Sequence, residues 1–198
     1  VAVEGVGRYR RVGTTIDDAA GEAFDKSAQL LGLGQPGGPM IEAAAKSGVA
    51  GRFSMPRPLA RRDDCDFSFS GLKTALRLAA DAIAAPTQQD AADLAFALQD
   101  AIAEHLADRT ERAMAAFGAM TASPALVVAG GVAANGAIRA RLAALTETQG
   151  WRLIVPPLQY CTDNGAMIAW AGIERLREGL APTPAEALAF APRSRWPL

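Results

Sequence analysis

Apolar residues recur every three or four positions through most of this chain, and in a few short runs they stand together. The longest periodic stretch is Asp90 to Phe117, where Leu94, Leu98, Ile102 and Leu106 fall at four-residue intervals among alanines and predict one long helix. A second helix is expected to run to about Leu31: Ala20, Phe24 and Leu31 share one face, with Ala23, Ser27 and Leu30 beside it. Thr14 and Thr15 offer it N-cap oxygens, and Asp17 and Asp18 suit its first turn. Gly32 and Gly34 end it, and the turn Pro36-Gly37-Gly38-Pro39 follows. Pro39 suits the first position of the next helix, which carries Ile41 and Glu42 and ends near Gly48. Gly51 to Asp66 is irregular, Phe67 and Phe69 alternate with Ser68 and Ser70, and another helix opens near Ser70. Pro86 breaks the chain, so two segments, 1–85 and 86–198, are expected; they can form one compact unit. A last helix, Ala166 to Arg177, has Thr162 or Asp163 as its cap and Gly179 as its stop.

The strands are short. Val1 to Val12 reads as two of them around Gly5 and Gly7. Leu126 to Ala129 reads as a buried strand that breaks at Gly130 and Gly131 before a helical pattern opens near Asn135. Trp151 to Val155 is another, stopped by Pro156-Pro157 ahead of the sequence Tyr160 to Gly165. Strands alternating with helices place the chain in the α/β class.

Composition narrows the function classes. The 198 residues are 50% hydrophobic and 21% charged, which suits a folded core rather than disorder. A net charge of −1 gives no global field to attract nucleic acid, so any such binding must use a local patch. The two cysteines, Cys65 and Cys161, form no framework, and a reducing cytoplasm is the expected setting. No apolar run reaches the length of a membrane span. The chain opens on Val1, in what reads as the middle of a sheet, so a fragment or processed product lacking its N-terminal part is expected.

Four places carry candidate chemistry. The strand–Gly-Gly–helix junction at Asn135 can present bare backbone N–H groups to an anion or nucleotide, or be an ordinary turn. Asp18, Glu22 and Asp25 form an acidic stripe with Gly21 among them; spacing favours a solvated face, with a ribose-binding stripe as the alternative. Arg52, Arg57, Arg61, Arg62, Lys73 and Arg77 make the most basic part of the chain, interleaved with Phe67 and Phe69, and read either as an RNA-facing edge or as a charge-balanced rim. Asp163 lies at a strand-to-helix junction, where capping is the simpler role. His105, the only histidine, reads as a residue on the helix surface.

Taken together, DDAAGEAFDK (17–26), PGGP (36–39), DFSFSGLKTAL (66–76), AGGVAAN (129–135) and CTDNGAMIAWAG (161–172) resemble the tRNA threonylcarbamoyladenosine synthesis transferases, once labelled O-sialoglycoprotein endopeptidases or glycoproteases. The resemblance implies the actin, sugar-kinase and Hsp70-like (ASKHA) fold. It implies transfer of threonylcarbamoyl from threonylcarbamoyl-AMP to N6 of the adenosine next to the anticodon of ANN-decoding tRNAs. It assigns Asp25, Gly38, Glu42 and Asn135 to the nucleotide-type substrate and Asp163 to an iron or zinc ion, and no side chain as catalytic nucleophile. It also implies paralogous and ATPase subunits as partners. The family's HxxxH metal motif and the glycine-rich segment after it are not in this chain, so the expectation is a C-terminal portion that is inactive alone. The competing classes are a sugar or acetate-type kinase, a metallopeptidase, for which no H-E-x-x-H is visible, and a non-catalytic paralogue.

Overall fold

The computed structural model describes residues 1–118 and 123–191. The proline-punctuated end of the tail, Pro192 to Pro197, lies outside them. The chain begins with an antiparallel hairpin, β1 (Ala2–Gly5) and β2 (Arg8–Arg10), in which Val3 pairs with Tyr9. Four helices follow: α1 (Ala20–Leu30), α2 (Gly37–Ala45), α3 (Ser70–Asp81) and the 31-residue α4 (Gln88–Gly118). A strand–helix–strand unit comes next, β3 (Ala125–Val127), α5 (Gly136–Thr148) and β4 (Arg152–Ile154). Its two strands pair in parallel, with Leu126 opposite Leu153, and α5 makes the crossover that parallel pairing needs. The chain is described to α6 (Gly165–Arg177) and α7 (Pro184–Leu188). Among the described residues the class is α/β with two two-stranded sheets. β3 is less buried than its apolar run suggested: Val127 is 60% exposed.

The core forms around α4. Its Leu94, Ala95, Leu98 and Ile102 are buried, as the four-residue period predicts, against Phe24, Ile41, Leu72, Leu76 and Ile138 from the four helices around it. Full burial of each large side chain contributes about 1.5–3 kcal/mol. One cluster therefore joins residues on both sides of Pro86.

Several local expectations are corrected. α1 starts at Ala20, its N-cap Ala19 gives no side-chain bond, and Thr14 and Thr15 do not cap it. Asp17 turns instead to the N-terminus of α3, where it accepts hydrogen bonds from Phe69 N (2.8 Å), Ser68 Oγ (2.5 Å) and Ser70 Oγ (2.7 Å). Burial pushes its carboxyl up, but these bonds outweigh it and bring the pKa to about 2. A long-range cap wins because α3 begins with open N–H groups and no polar side chain of its own at the cap position, Phe69. Helix α2 starts at Gly37, two residues before Pro39, with Pro36 as its N-cap. Asn164, not Thr162 or Asp163, caps α6 by accepting from Met167 N at 3.0 Å.

His105 is not a surface residue. It is 4% exposed, its Nε2 accepts the Ser68 N–H at 3.1 Å, and its edge meets the rings of Phe67 and Phe69. Burial and the nearby Arg109 push its pKa below the usual 6.5, against the smaller opposing pull of Asp108 and Asp17. The folded chain thus refuses a proton that the unfolded chain takes up. Stability is fully present above about pH 6.5 and is lost as pH falls below it. Urea denaturation between pH 7.5 and 5.5 should show this decline, and His105→Gln should flatten it. The single imidazole resonance should titrate below 6.5; a midpoint at or above that value contradicts the buried, neutral ring.

Candidate functional site

Two helix N-termini, those of α2 and α5, are held by the residues that the sequence placed as nucleotide candidates. The Asp25 carboxylate, on α1, accepts the Gly37 N–H at 2.8 Å and ties α1 to the first turn of α2. One turn on, Glu42 of α2 accepts the Gly136 N–H at 2.9 Å and ties α2 to the first turn of α5. Asn135 caps α5 by accepting from Ile138 N at 3.0 Å, and its Nδ2 donates to Gln99 of α4 at 2.9 Å. The structure thus brings Asp25, Glu42 and Asn135 into one chain of helix-end contacts, with Gly38 at its edge. Asn135 is 5% exposed, and its amide holds the framework.

The two glycines of the turn do different things. A side chain at Gly37 would lie 2.4 Å from the Asp25 Cα, so Gly37 is required by packing. Gly38 has nothing within 4 Å of the place where a Cβ would stand, and Gly130 and Gly131 are equally open. Nothing within the chain requires glycine at 38. Open glycines beside helix N-termini leave backbone N–H groups within reach of a flat or anionic ligand. The junction at Asn135 differs from expectation in one respect: a 3₁₀ turn, Gly131–Ala134, lies between the glycines and α5.

The acidic stripe is not three uncompensated charges. Lys26 Nζ bridges Asp18 at 2.6 Å and Glu22 at 3.1 Å, which leaves Asp25 as the member directed at the turn. The sequence reading missed Lys26, although its place four residues after Glu22 signals such a pair.

Asp163 is not drawn into this cluster. Its carboxylate is exposed and takes no hydrogen bond or ion pair among the described residues, and every residue of α6 except Glu174 is exposed. No three His, Cys, Asp or Glu side chains gather as a metal site among the described residues. One exposed carboxylate does not hold iron or zinc, which need several ligands in fixed geometry, so the donors present do not by themselves fit such an ion. Neither cysteine is a poised nucleophile: burial pushes the Cys65 thiol up, and Cys161 is 5% exposed.

The basic edge is unevenly neutralised. Arg62 pairs with Asp64 at 2.5 Å, Arg57 lies 3.8 Å from Glu104, and Arg61, Lys73 and Arg77 have no ion pair among the described residues. Arg52 leaves the set, since it is held by Asp90 and, at 2.6 Å, by Asp93.

The family model for tRNA N6-adenosine threonylcarbamoyltransferase matches residues 1–170. The chain belongs to this family. Curated relatives of that name include those of Rhizobium meliloti (strain 1021), 58% identical over 201 residues, and Agrobacterium fabrum (strain C58 / ATCC 33970), 56% identical over 202. A third, from Paramagnetospirillum magneticum (strain ATCC 700264 / AMB-1), is 54% identical over 200 residues. All of this chain is covered in each match, but it spans only 54–56% of those relatives' length.

The glycines give a direct test. Gly37→Ala should destabilise the fold by about 1–3 kcal/mol through the clash with Asp25. Gly38→Ala should leave the melting temperature unchanged or slightly raised, because its Cβ meets nothing. Equal losses in the two variants by thermal denaturation would contradict the division of roles. For the lone carboxylate, elemental analysis of the purified 198-residue chain should find less than stoichiometric iron or zinc; one retained equivalent would reveal a ligand set other than Asp163 alone.

Proposed function

We propose that this chain supplies the adenylate-gripping part of an enzyme that transfers threonylcarbamoyl from threonylcarbamoyl-AMP to N6 of the adenosine next to the anticodon in ANN-decoding tRNAs. The observation that carries the reading is the tie from Asp25 to Gly37 and from Glu42 to Gly136, with Gly38 left open beside it. The names of the relatives supply the reaction class. In this reading the fold is the C-terminal lobe of an ASKHA protein.

The chemistry asked of these residues is binding and orientation. Asp25 has one carboxylate oxygen on Gly37 N and offers the other to ribose hydroxyls. The open backbone at Gly38, Gly130 and Gly131 admits the flat adenine and the anionic phosphate. The acceptor amine attacks the carbamoyl carbonyl, the bond to phosphate breaks and AMP leaves. No side chain of the described residues is needed as a nucleophile, which suits direct transfer. Asp163 would be one ligand of an iron or zinc ion whose other ligands lie outside this chain. Bound there, the metal would supply Lewis-acid polarisation of an oxygen. The tRNA would approach along Arg57, Arg61, Lys73 and Arg77, in the cytoplasm, with paralogous and ATPase subunits as partners. No described helix is long and apolar enough to cross a membrane.

Replacing Asp25 by Ala should weaken AMP binding by about 1–3 kcal/mol, since a charge-assisted bond to ribose is lost. Asp25→Asn keeps an acceptor for Gly37 N–H and should lose less. Calorimetry measures both, with circular dichroism as the control on folding. Unchanged affinity in a folded Asp25→Ala chain would assign the carboxylate to the α1–α2 tie alone.

A further inference from the structure

The irregular segment between α2 and α3 is held as an arch over α4. At its start, Asp93 accepts the Val49 N–H at 2.7 Å and Arg52 at 2.6 Å, and Gln89 donates to the Ser47 carbonyl at 2.9 Å. At its far end Arg109, 0% exposed, donates to three carbonyls: Leu59 at 2.7 Å, Arg62 at 2.9 Å and Asp64 at 3.0 Å. Leu59 has φ of 53°, a left-handed conformation that a leucine adopts only under constraint. Between the two anchors the arch stands off α4 over a cavity of about 890 Å³ lined by Phe53, Met55, Arg57, Phe96, Glu104 and Arg141. Arg57 and Arg61 project from this span, and both are exposed.

We infer that Arg109 is the positioning residue of the RNA-facing edge: by holding three carbonyls of the arch it fixes where Arg57 and Arg61 meet a phosphate backbone. The inference rests on the tRNA reading above. A guanidinium suits this task because its donors fan out in a plane, and a lysine in its place reaches one or two carbonyls but not all three. Arg109 itself is buried and touches no ligand. Its effect on RNA passes through the order it imposes on exposed arginines that would otherwise lose conformational entropy on binding.

The test is a double-mutant cycle read by binding of an anticodon stem-loop RNA over a range of salt, with AMP affinity as the control. Arg109→Lys should lower RNA affinity about tenfold and reduce the salt slope by about one unit, with AMP affinity within twofold of the parent. In a chain already carrying Arg57→Ala and Arg61→Ala, Arg109→Lys should have no further effect on RNA. Should Arg109→Lys not fold, Leu59→Gly keeps the carbonyl that Arg109 holds but frees the left-handed backbone of the arch, and should give the same pattern without changing any charge. RNA binding that depends on Arg57 and Arg61 but not on Arg109 or Leu59, or an additive cycle, overturns this inference alone. A parent protein that binds no stem-loop RNA overturns the tRNA reading and this inference with it.

Discussion

Buried backbone groups must find partners, and in this chain α4 supplies them to segments that have no regular structure of their own. The 24 residues between α2 and α3, 46–69, pair their N–H and C=O groups with a strand-like neighbour only at Phe67. Asp93, His105 and Arg109 of α4 take up five of them, each with a bond between 2.7 and 3.1 Å. An unpaired buried group costs about 1–3 kcal/mol, so a single helix with well-placed polar side chains decides whether this stretch is ordered. The same helix buries Leu94, Leu98 and Ile102 in the core and gives Gln99 to Asn135. Core, arch and candidate nucleotide cluster therefore share one support.

That arrangement explains why the candidate site is built from helix ends. Each of α2 and α5 begins with N–H groups that lack partners within the helix. Asp25 and Glu42 fill one such vacancy apiece, and Asn135 a third. Each carboxylate that links neighbouring helices uses one oxygen for the link. The glycines beside them remove the side chains that would close the surface. Structural ties and proposed ligand groups are the same residues, so replacing one tests both roles and a conservative variant is needed to separate them.

The sequence revealed what depends on local periodicity. The long helix, the hairpin, the Gly-Gly turn and the strand–helix–strand unit all follow from spacing within a dozen residues. It did not reveal pairings between distant segments. Asp17 looks like a first-turn residue of α1 because the α3 amide groups it caps lie about fifty positions away. His105 looks like a surface residue because a polar side chain on a helix is ordinarily solvated, and only the fold brings backbone groups of 59–68 onto it and onto Arg109. The motifs at 17–26, 36–39 and 129–135 carried the nucleotide candidates by resemblance, and the structure gives their convergence a physical form. Asp163 stays outside that convergence, as an exposed carboxylate beside an exposed helix.

In the proposed function the open backbone at Gly38 and at Gly130 and Gly131 is a nucleotide surface. Backbone amide chemical shifts followed during titration with AMP test it most directly. Saturable shifts are expected at Gly38, Gly130 and Gly131 and at Gly37 and Gly136, with Arg57 and Phe53 of the arch unmoved. Saturable shifts confined to the arch, or none at Gly38 at millimolar AMP, would contradict it.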